Sequence, residues 1–183
     1  MIIWYTVRNK FSPVFFKENS SWEGYIKWSK LIHLTEVISL DSLLCEFPLE
    51  IDYTNPITWD YIVTDEDTVY ELFTSLGYIL DQLKNQTNYN ILAVIKEPIS
   101  SCEKIPISNF TFVGYDLIDK DYSMSAITNC GGFDETFLPN DLNNVGLIDE
   151  YEKAIEIRKN LILNNPNSFH ADCLIFAIWK YNN

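Results

Sequence analysis

The sequence predicts a single α+β domain, with a mixed, mostly antiparallel sheet and two main helices at about residues 68–84 and 147–163. Three observations lead there. The chain has 183 residues, 47% of them hydrophobic, which is the size and apolar content of one compact core. Its apolar residues fall either into short runs rich in β-branched and aromatic side chains or into two longer runs with helical spacing. These runs do not alternate as regular βα units, and no internal repeat or linker-like stretch divides them.

Residues 2–7 (Ile-Ile-Trp-Tyr-Thr-Val) read as an opening strand that ends at polar Arg8-Asn9-Lys10. Ser20-Ser21 with Glu23 can cap a short helix carrying Trp22, Tyr25, Ile26 and Trp28, which Gly24 weakens. Residues 36–40 look like a second strand. Pro48 and Pro56 then bracket a connecting stretch expected on the surface. In 68–84, Val69, Leu72, Phe73, Leu76, Ile79, Leu80 and Leu83 recur every three or four positions, the spacing of one buried helical stripe. Thr64 or Asp65 can accept its free backbone amides, and Asp65-Glu66-Asp67 set negative charge at the positive end of its dipole.

Residues 91–95 are continuously apolar and close at Pro98, as a central strand covered on both faces would be. Residues 110–117 and 123–128 form a predicted hairpin around Asp119-Lys120-Asp121, with Gly131-Gly132 ending the second run. The helix 147–163 carries Tyr151, Ala154, Ile155, Arg158 and Ile162 along one side and stops at Asn164-Asn165-Pro166. Residues 173–181 are nearly all apolar and are expected as a central strand beside the N-terminal one.

Charge is the unusual property. The 26 Asp and Glu against 13 Lys and Arg leave a net −13, which repels phosphate backbones and anionic membranes. Direct binding of nucleic acid or of a membrane is therefore not expected. The first residues lack a basic leader and a small-residue cleavage site, and no apolar run approaches the roughly 20 residues of a bilayer span. Four scattered cysteines without a CxxC pair suit reduced thiols, so a cytoplasmic location is expected.

The excess charge is local. Residues 41–84 hold ten acidic groups and one basic, residues 105–152 hold nine and one, and the two ends of the chain are close to neutral. Folded side by side, the two blocks would give one electronegative face for a basic protein partner. Its expected carboxylates are Asp65, Glu66 and Asp67 from the first block and Asp116, Asp119, Asp121, Asp134 and Glu135 from the second. Tyr115, Tyr122 and Phe133 interleave with the second set as candidate anchors. The plainer alternative is that these charges only solvate the surface and cap helices.

Catalytic signals are few. Cys130, in Asn129-Cys130-Gly131-Gly132, together with His170 and Asp172 has the residue types and chain order of a Cys-His-Asp hydrolase, which is the alternative function. Cysteine is more often a buried core residue, and no helix is predicted to start at Cys130 and lower its pKa. Cys130, His170 and Cys173 lack paired zinc-ligand spacing, and Asp116, Asp119 and Asp121 lack the glycine and closing Glu of an EF-hand. No metal or other cofactor is expected. His33 sits in an apolar run where a hydrogen-bonded structural role is the default, and the five tryptophans read mainly as core.

Four phrases carry a resemblance: Glu36-Val37-Ile38-Ser39-Leu40-Asp41, Gly114-Tyr115-Asp116-Leu117-Ile118-Asp119, the run 125–132, and His170-Ala171-Asp172-Cys173. They resemble bacterial immunity proteins of polymorphic and contact-dependent toxin systems. The resemblance implies a cytoplasmic protein that binds a cognate toxin, often a basic nuclease, and blocks its active-site cleft. It transfers no catalytic residue. A non-catalytic structural adaptor is the remaining alternative.

Overall fold

The computed structural model describes residues 1–11, 21–64, 71–83, 87–120, 124–129, 138–164 and 166–182. Its centre is a four-stranded antiparallel sheet of β1 (Trp4–Asn9), β2 (Tyr89–Lys96), β3 (Phe110–Ile118) and β4 (Leu174–Tyr181), in the order β1-β2-β4-β3. Among the described residues four α-helices accompany it: α1 (Trp22–Ser29), α2 (Pro56–Tyr61), α3 (Leu76–Gln82) and α4 (Tyr151–Asn164). The fold is therefore α+β, as expected. Among the described residues no helix is long and apolar enough to cross a membrane.

Both faces of the sheet are covered, which is why β2 and β4 are almost continuously apolar. Alternation sorts their side chains: Ile91, Ala93, Ile95, Ile175, Ala177 and Trp179 enter the larger core, while Leu92, Val94, Phe176 and Ile178 enter a second one. Ala154, Ile157 and Leu161 of α4 pack in the larger core, so its buried stripe is rotated from the predicted one and Ile162 is exposed. The second core is closed by Ile38, Leu40, Leu72 and Leu147, all outside helices and strands.

Several expectations are corrected by where backbone hydrogen bonds go. Residues 36–40 join no ladder; Ile38 N–H donates to Val145 O at 3.0 Å, and Glu36 pairs with Lys180. Of the predicted helix 68–84, residues 68–70 and 84 lie outside the described residues, and within 71–83 only α3 is helical. Glu71 has φ 72°, and Phe73 forms isolated bridges to Tyr5 and Ile62, so 71–75 belongs to the β1 edge. Ser75 then caps α3 by accepting from Tyr78 N–H at 3.2 Å. Pro56 does not end an irregular stretch but begins α2, with Asn55 accepting from Ile57 N–H at 3.0 Å.

Among the described residues the predicted hairpin consists of one bridge between Ile118 and Ser125, after which the chain turns; the ladder partner of β3 is β4. β4 in turn lies between β2 and β3, not beside β1. The outer edge of β3 is covered by 143–148, where Tyr115 and Ile148 exchange backbone hydrogen bonds at 2.8 and 3.0 Å. Asn143 fixes this strap, donating to Val113 O at 2.9 Å and accepting from Val145 and Leu147 N–H.

Candidate functional site

Of the predicted partner-binding residues, Tyr115, Asp116 and Asp119 lie among the described residues, and all three are buried. They are not available to a partner surface. The reason is alternation along β3: with Tyr115 and Leu117 in the larger core, Asp116 and Ile118 project into the second. Asp65, Glu66, Asp67, Asp121, Tyr122, Phe133, Asp134 and Glu135 fall outside the described residues.

Burying Asp116 requires donors, and four converge on it. Its Oδ2 accepts from Ser39 Oγ at 2.6 Å and Leu40 N at 3.3 Å; its Oδ1 accepts from Leu117 N at 2.9 Å and Ser125 Oγ at 2.8 Å. Asp41 extends the network, accepting from Leu43, Leu44 and Ser125 N–H and from the Asn129 side-chain amide. The phrases 36–41, 114–119 and 125–129 thus meet in one buried hydrogen-bond network that pins two irregular segments to β3. Burial is the largest influence on both carboxyls and raises both, Asp116 to about 6. A second internal charge pair joins Arg8, 1% exposed, to Glu71 at 2.7 Å.

The rest of the first acidic block behaves differently. Glu50, Asp52, Asp60 and Asp81 are exposed, and none has a cationic side chain in ion-pair distance among the described residues. Glu50, Asp52 and Asp81 line a cleft of about 550 Å³ between α2 and α3, together with Asn55, Ile57, Thr58, Tyr61, Ser75 and Tyr78. Two hydrogen bonds order its wall: Thr58 Oγ1 donates to Asp52 O at 2.9 Å and lies 3.2 Å from the Tyr78 hydroxyl. Thr54 donates to the Asp52 carboxylate and holds it below the usual carboxylate range. On the exposed side of the same segment, Ile57, Trp59 and Tyr53 keep 56%, 54% and 49% of their surfaces in solvent. Trp59 is thus one of the tryptophans outside the core.

The described carboxylates of the second block outside the buried network have internal explanations. Asp149 accepts from Asn143 at 2.7 Å, Lys153 bridges Asp141 and Glu156, and Glu150 and Glu152 flank the start of α4, the positive end of its dipole. The two blocks meet only in that buried network, at Asp41 and Asp116, and their exposed carboxylates do not converge among the described residues. The α2–α3 cleft lies on the β1 side through the Tyr5–Phe73 bridge, whereas 143–150 lies against β3 at the opposite edge of the sheet. The single-face expectation is therefore replaced by one cleft from the first block alone. The local signal for it is Asn55-Pro56, a cap followed by proline at the first helical position, but the same proline also fits a loop boundary.

The remaining chemistry is weak. His170 is half-buried in a 3₁₀ turn (Phe169–Asp172), where burial lowers its pKa, while Cys130 falls outside the described residues. Cys45, Cys102 and Cys173 are buried free thiols, and burial pushes Cys173 up to about 12. Among the described residues no group of three or more His, Cys, Asp or Glu is placed to hold a metal ion. His33 meets Leu142 O at 3.0 Å, a structural contact. No protein-family model, curated protein or solved structure matches the chain.

Proposed function

We propose that this protein is a non-catalytic acidic binding module whose α2–α3 cleft receives a basic protein partner, in the manner of an immunity protein that covers the active-site cleft of a cognate toxin. The observation that carries the reading is the set Glu50, Asp52 and Asp81 gathered round one cleft with no cationic side chain among the described residues in ion-pair distance. Carboxylates left uncompensated in a concave surface focus a negative field, which speeds encounter with a positive partner. Exposed Ile57, Trp59 and Tyr53 beside them supply the apolar and aromatic contact area that affinity needs, since charge alone contributes mostly rate and specificity. The resemblance of the 36–41, 114–119 and 125–132 phrases to immunity proteins points to a toxin as that partner, and the described parts of those phrases, 36–41, 114–119 and 125–129, serve the scaffold.

The test is a differential capture from the native host with the intact chain and with Glu50→Gln/Asp52→Asn/Asp81→Asn. The expected result is a basic protein retained by the first and reduced at least about tenfold with the second, whose toxicity on expression is relieved by the intact chain. Equal retention by both, or a partner that is itself acidic, would overturn the reading.

A further inference from the structure

We infer that the anchor taken up by the α2–α3 cleft is the guanidinium of an arginine on the basic partner. This rests on the reading above and specifies its chemistry. The wall of the cleft contains two tyrosines, Tyr61 from α2 and Tyr78 from α3, whose rings stack with centroids 4.9 Å apart and planes 26° apart. Around them stand the three carboxylates, Glu50 and Asp52 from the segment before α2 and Asp81 from α3.

A cation entering such a cleft meets the two tyrosines and the carboxylates together. A guanidinium is planar and weakly hydrated, so it can lie on a tyrosine ring while its fork of N–H groups reaches carboxylate oxygens. An ammonium is a compact, strongly hydrated charge that gains less from the ring and cannot form the two parallel hydrogen bonds. The cleft is also preorganised. Tyr78 is fixed by the Ser75 cap at 3.2 Å and by Thr58 at 3.2 Å, and Asp52 by the Thr54 amide at 2.9 Å. Tyr78 and Asp52 therefore lose little side-chain freedom when the cation arrives. The volume of about 550 Å³ accommodates an arginine side chain with the neighbouring residues of a docking segment.

The probes are N-acetyl-arginine amide and N-acetyl-lysine amide, titrated into the full isotope-labelled chain at low salt and followed by backbone amide shifts. The arginine probe is expected to shift Thr58, Tyr61 and Tyr78 and to bind roughly two- to fivefold more tightly than the lysine probe. Tyr61→Leu should abolish that preference, Tyr61→Phe should keep it, and Asp81→Asn should weaken both probes. Equal affinity for the two probes, or shifts centred on the start of α4, would overturn the guanidinium assignment. A hexalysine peptide separates the two levels of the argument. If it binds at the cleft with salt dependence while the arginine probe shows no preference, the acidic cleft stands and the arginine anchor falls; if neither binds, both fall.

Discussion

Gly114→Ala is expected to destabilise the protein by about 3–5 kcal/mol, combining overpacking with backbone strain. At Gly114 the backbone has φ +136°, and an added Cβ would lie 2.6 Å from Leu147 Cβ and 2.9 Å from Ile148 O. Neither atom can swing away, because Leu147 and Ile148 belong to the strap that closes the β3 edge, and Ile148 O accepts from Tyr115 N–H at 2.8 Å. The register shift between Phe112 and Gly114 marks the same spot, a bulge that lets two backbones approach. Chemical denaturation measures the effect, with Gly77→Ala as the internal contrast. There the nearest atom is Ser75 Oγ at 3.7 Å, so a gain of about 0.5 kcal/mol is expected from helix propensity. A Gly114→Ala loss below about 1 kcal/mol would mean that the strap does not pack as described.

Asp116→Asn should cost about 2 kcal/mol at neutral pH although it removes a buried charge. All four groups facing the Asp116 side chain are donors, so an amide nitrogen necessarily points at two of them. Ser39 Oγ and Ser125 Oγ cannot simply turn round without disturbing bonds they already accept, from Asp41 N–H at 3.0 Å and from Thr128 N–H at 3.2 Å. The pH dependence has a definite sign. A carboxyl raised from 3.8 to about 6 in the folded protein contributes stability that is complete below pH 3.8 and lost as pH rises to about 6. The gap between the native protein and Asp116→Asn should therefore widen on acidification, by at most about 3 kcal/mol. A gap that closes on acidification would show that the four donors, and not burial, govern the proton.

The central strands were legible because double burial leaves runs such as 91–95 with no polar position, and β4 shows the same pattern. The short helix α1 was legible from its cap, since Ser21 accepts from Gly24 N–H at 3.2 Å. What misled was spacing shared by two causes. Leu72 and Phe73 fall on the helical stripe of 68–84, but they are buried because 71–75 lies along β1, where Glu71 adopts φ 72° and reaches Arg8. Periodicity cannot distinguish a helical face from an irregular segment pressed on a sheet.

The candidate site was legible only as an excess of charge. A count by block cannot tell Asp116, locked under Ser39 and Ser125, from Asp81, open to solvent. The position of Asp116 between apolar Tyr115 and Leu117 in a strand was a local hint of burial, whereas the meeting of Glu50, Asp52 and Asp81 depends on how α2 and α3 pack. That packing passes through Tyr61, Phe73 and Tyr78, ring contacts between parts of the chain that no local pattern relates.

The most direct test is the association rate with the captured partner across a salt series, for the native chain, the cleft variant Glu50→Gln/Asp52→Asn/Asp81→Asn, and a control, Asp149→Asn/Glu150→Gln/Glu152→Gln, that removes as many charges beside α4. Guidance by the cleft predicts a native rate that falls steeply with added salt, a cleft variant slower by about tenfold or more at low salt with a flattened dependence, and a control close to native. A control that loses as much as the cleft variant would contradict it, because net charge and not the α2–α3 cleft would then be guiding the encounter.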